Sequence, residues 1–102
     1  MQNNIINIDF NKDFDFESKD FYKASLNGEE LIFTSFKQYD GPITLQFLPN
    51  GGIQSVFGYN LIIKVNNGFL CVNELIYKGQ KMSSKEFIEL KKDIELVNQV
   101  LE

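Results

Sequence analysis

LIIKVNNGFLCVNELIYKGQKMSSKEF, residues 61–87, decides the fold. LIIKV (61–65) and FLCVNELIY (69–77) are rich in β-branched and aromatic residues, and they flank Asn66-Asn67-Gly68, a turn signal. They read as a hairpin. The runs LIIKV and FLCV are almost continuously apolar rather than alternating, so both strands should be central and covered on both faces. After Lys78-Gly79 the pattern changes. Ser83 is followed three residues later by Glu86, the spacing of a capping box. From there Phe87, Leu90, Ile94, Val97 and Leu101 recur at intervals of three and four, with Ile88, Leu96 and Val100 widening the stripe. The spacing predicts one helix over about 84–100, packed on the sheet. A stripe of this kind would also serve a homodimer through the helix.

Upstream, further turn signals recur at roughly 8–12 residue intervals, as in antiparallel β domains. Asn27-Gly28 lies between FYKASL (21–26) and ELIFTSF (30–36), a strong hairpin signal. Pro49-Asn50-Gly51-Gly52 lies between PITLQFL (42–48) and GIQSVF (52–57), and Gly41-Pro42 and Gly58-Tyr59-Asn60 mark two more turns. IINIDF (5–10) adds an N-terminal strand. The expectation is one all-β domain spanning 1–102: a small antiparallel barrel of about six strands with one C-terminal helix.

With 102 residues, 43% hydrophobic and 14% aromatic, the chain suffices for one packed core. Its apolar runs are too short to cross a membrane as a helix. MQNNIINIDF lacks the basic and apolar regions of a secretory signal. The single cysteine, Cys71, excludes an internal disulfide, so a cytoplasmic location is expected.

The residues that are missing narrow the chemistry. There is no His and no Arg. Without His the commonest general base and zinc ligand are lost, and the serines have no imidazole to activate them. One Cys cannot build a structural zinc site. No catalytic residue, metal or cofactor is expected, and the chain is not read as an enzyme. Lys64, between Ile63 and Val65, reads as an outward residue whose amine reaches the strand edge.

Net charge is −4, which argues against a nucleic-acid partner. The charge is also uneven. Residues 1–40 hold eight acids and four Lys, whereas residues 41–102 hold six of each. Two candidate surfaces follow. Asp13, Asp15 and Glu17 alternate with Phe14 and Phe16, as on an edge strand with carboxylates outward and rings inward. A calcium loop would need a glycine that is not there. This acidic edge would meet a basic protein. Tyr77, Lys78 and Lys81 form the second surface, an aromatic beside lysines and the best place for a weak stacking contact.

Lys81-Met82-Ser83-Ser84-Lys85 matches the mobile loop of class I aminoacyl-tRNA synthetases, but that loop works within a Rossmann domain that this pattern does not contain. A longer match starts at Asn67-Gly68-Phe69-Leu70 and continues through Leu75, Gly79, Lys81-Met82-Ser83 and Glu86-Phe87. With Asn27-Gly28-Glu29-Glu30-Leu31 and Ile8-Asp9-Phe10, it resembles the C-terminal domain of methionyl-tRNA formyltransferases and related formyltransferases. About twenty residues carry it. Ile76-Tyr77 stands where that family has Gln-Pro, Gln80 replaces a basic residue, and the Gly79–Met82 interval is one residue short. The resemblance implies an open, OB-like barrel with a helix. The family's catalytic residues belong to a separate domain that these residues do not contain, so it implies no formyl transfer, folate site or tRNA site here.

The sequence therefore points first to a non-catalytic binding or accessory module acting by protein contact. A small acidic inhibitor or immunity-type protein that blocks a basic partner comes second, and a nucleic-acid-binding barrel third.

Overall fold

The computed structural model describes residues 4–41, 49–57, 60–91 and 99–102. The expected strand at 42–48, the turn at Gly58-Tyr59 and the helical positions 92–98 lie outside the described residues. The protein is mostly β. Its elements run β1 (Ile5–Asn7), β2 (Phe21–Leu26), β3 (Glu29–Gln38), β4 (Ile53–Phe57), β5 (Asn60–Val65), β6 (Gly68–Tyr77), β7 (Gln80–Ser83) and α1 (Ser84–Leu90). The strands form one open sheet in the order β1-β2-β3-β6-β5-β4, with β7 also on β6.

Strand β6 is the spine. One edge pairs with β3 from Leu70 to Tyr77. The other pairs with β5 over Gly68–Val72 and with β7 over Glu74–Tyr77. Being bonded on both edges explains its apolar character. Leu70, Val72 and Leu75 are fully buried, and Cys71 is buried on the opposite face, across from the equally buried Ile62 of β5. Both faces of the central hairpin are covered, as the continuous runs predict.

Two tight turns set the ends of the sheet. Asn27-Gly28 joins β2 to β3 with both φ angles positive, and Lys78-Gly79 joins β6 to β7 in the same way. These are the angles of type I′ hairpin turns, whose twist suits antiparallel strands. Asn27 and glycine adopt them at low cost, whereas Lys78 is a side chain that rarely does. The second hairpin creates β7, a strand not expected from the sequence because QKMS has no β-branched residue.

Two other features depart from the sequence reading. Strand β1 pairs with β2 in parallel rather than antiparallel. The helix starts at Ser84 as expected, but Val100 forms a β-bridge with Gly52 instead of continuing a helix to residue 100. The extended 99–102 segment bonds to both outer parts of the sheet. Leu101 donates to Gly51 O and Ile53 donates to Gln99 O, while Ser25 of β2 exchanges two hydrogen bonds with Glu102. Four residues span at most about 14 Å, so the sheet curls enough to bring the start of β4 close to β2. Gly51 has φ +91°, and a Cβ there would sit 2.5 Å from Leu101 O, so this junction requires glycine.

The core is one cluster inside the curl. It takes Ala24 and Leu26 from β2, Leu31 and Phe33 from β3, Leu61, Ile63 and Val65 from β5, and the inner residues of β6. Phe87 of α1 and Leu101 join the same cluster. Helix α1 therefore packs on the sheet, as its stripe predicts, and does so through Phe87 in the inner core. No described helix is long and apolar enough to cross a membrane.

Candidate functional site

The two candidate surfaces occupy opposite ends of β3. At the first end the β2–β3 hairpin meets the C-terminus of β6, since Leu31 pairs with Tyr77. Helix α1 closes this end. Ser83 Oγ accepts the Glu86 N–H and Glu86 Oε1 accepts the Ser83 N–H, both at 3.1 Å, so the capping box forms as its spacing predicts. Ser84 is buried and its hydroxyl donates to Val72 O, fixing the helix start to β6. Phe87 then meets the Tyr77 ring edge to face, centroids 5.4 Å apart.

Tyr77 is only 4% exposed, so its ring is not available to stack on a ligand. It is instead the floor of a charge network. Its hydroxyl donates to Glu29 Oε2 at 2.7 Å. Lys91, the C-cap residue of α1, is 8% exposed, and its Nζ lies 2.6 Å from Glu29 Oε1 and 4.6 Å from the Tyr77 ring centre. Lys78 Nζ lies 3.4 Å from Glu29 Oε2 and 5.4 Å from the same ring. The hydrogen bond from Lys91, then that from Tyr77, holds the Glu29 carboxyl at about 2 against an ordinary 4.5. Burial of Lys91 opposes its charge, but its bonds to Glu29 and Tyr77 prevail and raise its pKa above the ordinary lysine value.

Of the residues singled out here from the sequence, Tyr77 and Lys78 are therefore brought together on Glu29. Lys81 is not. It pairs with Ile76 across β7 and is exposed on the outer face, away from the inward Tyr77. Beside the network is a shallow depression of about 270 Å³, bounded by Glu29, Glu30, Ile32, Ile76 and Lys78. Glu30 is turned outward toward Lys23 at 3.2 Å, so Glu29 and Glu30 do face opposite sides of the strand. Sequence reasoning missed Glu29 and Lys91 as partners. The available signal was the position of Lys91 four residues after Phe87, on the helix face that meets the core.

At the other end Phe14 is buried against Tyr22, Phe16 and Phe36, with ring centroids 4.7–5.4 Å apart. Asp13, Asp15 and Glu17 are exposed between these rings. The alternation of acids out and rings in is as expected, but it is carried by a loop with a turn at 16–17 and not by an edge strand. The loop is tied to the β5–β6 turn. Asn67 Oδ1 accepts the Phe14 N–H at 2.8 Å and Asn67 Nδ2 donates to Phe14 O at 3.0 Å. Asn66 Nδ2 donates to Asp13 Oδ1 at 2.7 Å, and Asp15 Oδ1 accepts the Glu17 N–H at 3.0 Å. These donors are neutral and leave the negative charges intact. Nearby, Lys64 turns its amine to Val65 O and Asn50 Oδ1.

Among the described residues no group of three acidic or cysteine side chains is placed to hold a metal ion. No family model matches the chain, and no curated protein matches its sequence.

Proposed function

We propose that the chain is a non-catalytic binding module that contacts a basic region of another protein through Asp13, Asp15 and Glu17. One observation carries this reading. The three carboxylates are exposed on a loop held in place by the Asn67 clamp and by buried Phe14. A fixed loop loses little conformational freedom on binding, and exposed charge of one sign steers a partner of the other. The net −4 of residues 1–40 acts in the same direction. An inhibitor or immunity-type role is one form this contact takes. The likeness of residues 67–87 to formyltransferase C-terminal domains is compatible with an accessory module and supplies no substrate. Burial of the Tyr77 ring gives no support to a stacking contact at that residue.

Immobilised protein should capture a basic partner from an extract of its native host. A variant carrying Asp13→Asn, Asp15→Asn and Glu17→Gln should lose it, and added salt should weaken the wild-type complex. Undiminished capture by the triple variant overturns the proposal.

A further inference from the structure

A hollow of about 300 Å³ lies beside the acidic loop, lined by Ser18, Lys19, Asp20, Thr34, Ser35 and Phe36. Two features build it. The first is an irregularity in β3, whose register on β6 shifts on both sides of Ser35. Phe33 and Phe36 are three residues apart, an interval that points to opposite faces of a regular strand. Here both pack on the core. Thr34 and Ser35, between them, are turned to one side and both line the hollow. Irregularities of this kind re-aim side chains and are common beside functional sites. The second feature is the turn that follows the loop. Ser18 donates its N–H to Asp15 O, and its hydroxyl accepts the Asp20 N–H at 3.1 Å. Asp20 is thereby held half-buried at the wall of the hollow.

Two groups in the hollow lack partners. The Thr34 hydroxyl is buried and bonds nothing among the described residues, an uncommon state for a buried polar group. The Asp20 carboxylate forms no ion pair among the described residues. We propose that the hollow receives an arginine side chain of the basic partner, a role that rests on the acidic-loop contact proposed above. The acceptors select arginine over lysine. One carboxylate and the hydroxyls of Ser18, Thr34 and Ser35 surround the space. A guanidinium offers them a planar fork of N–H donors, where an ammonium is a compact point charge. Phe36 adds an aromatic ring, a surface that suits a planar cation. The same ring packs edge to face on Phe14, centroids 5.4 Å apart. Hollow and acidic loop therefore share one anchor, and a single basic segment can reach both. Lys19 is the opposing charge. It is exposed whereas Asp20 is half-buried, so solvent and salt screen it more strongly.

Two-dimensional NMR titrations of the labelled full chain, with an arginine decapeptide and with a lysine decapeptide at low salt, test this. The arginine peptide should bind about tenfold more tightly, the worth of one charge-assisted hydrogen bond. It alone should shift Asp20, Thr34 and Ser35. Asp20→Asn should bring arginine down to the level of lysine. Thr34→Val keeps the shape and removes the unpartnered hydroxyl. It should narrow the preference for arginine and leave lysine binding unchanged, which a purely structural threonine would not do. The Asp13→Asn, Asp15→Asn, Glu17→Gln variant should weaken both peptides and keep the preference. Equal affinity of the wild type for the two peptides overturns the arginine site and leaves the acidic-loop contact standing. A preference that survives both Asp20→Asn and Thr34→Val overturns it as well. Undiminished binding of both peptides to the triple variant removes the acidic-loop contact instead, and shifts that persist at Asp20 and Thr34 then still support the arginine site.

Discussion

The two ends of β3 carry charge of opposite sign and use it differently. At the Tyr77 end, the cations of Lys78 and Lys91 converge on one carboxylate over a buried ring, so the charge is used within the molecule. At the Phe14 end, neutral amides and backbone groups hold Asp13 and Asp15, so the charge remains at the surface. A charge cluster in a sequence thus says little about availability. What decides it is whether the residues that fix the loop are themselves charged.

The largest effects should come from the rings that anchor each end. Phe87→Ala and Phe14→Ala should each cost about 3–5 kcal/mol in denaturant unfolding, with the larger loss for Phe87, which is fully buried where Phe14 is 8% exposed. Equal losses would weaken the contrast between a closed end and a rim. Next come the polar ties. Asn67→Ala leaves the Phe14 N–H and C=O without their partner and should cost about 1–3 kcal/mol. Ser83→Ala removes the helix cap and should cost about 1 kcal/mol. Only the Asn67 change should loosen the acidic loop, seen as faster amide exchange at Phe14.

A pH titration separates the ends further. The Glu29 carboxyl is held at about 2 in the folded protein against 4.5 ordinarily. Its contribution to stability is therefore complete above about 4.5 and lost as pH falls through about 2. Glu29→Gln should flatten the stability profile in that window relative to wild type. Neutralising Asp13, Asp15 and Glu17 should leave stability within about 0.5 kcal/mol per site. A flattening as large as that of Glu29→Gln would show that their charge too is used internally.

Much of the fold was legible because local signals agreed with it. Continuous apolar runs marked β5 and β6 as central, Asn27-Gly28 marked a hairpin, and Ser83 with Glu86 marked the helix start. What was not legible depended on distant partners. Val100 and Leu101 fit a helical stripe, yet the bridge of Val100 to Gly52 and the hydrogen bond of Leu101 to Gly51 O place their backbone in extended form. The parallel pairing of β1 leaves no local trace. Strand β7 follows from the left-handed conformation of Lys78, which propensity does not suggest. At the candidate sites, the outward acids and inward rings of 13–17 could be read from alternation. The Glu29–Lys91 pair joins residues 62 positions apart, and no spacing rule reaches that far.

The most direct test of the account is a two-dimensional NMR titration of the labelled protein with a lysine decapeptide at low salt. The account predicts that the shifts concentrate at Asp13–Glu17 and at Asn66 and Asn67, and that they vanish in the Asp13→Asn, Asp15→Asn, Glu17→Gln variant. Shifts spread evenly over all acidic positions, or centred on Glu29 and Glu30, would contradict it.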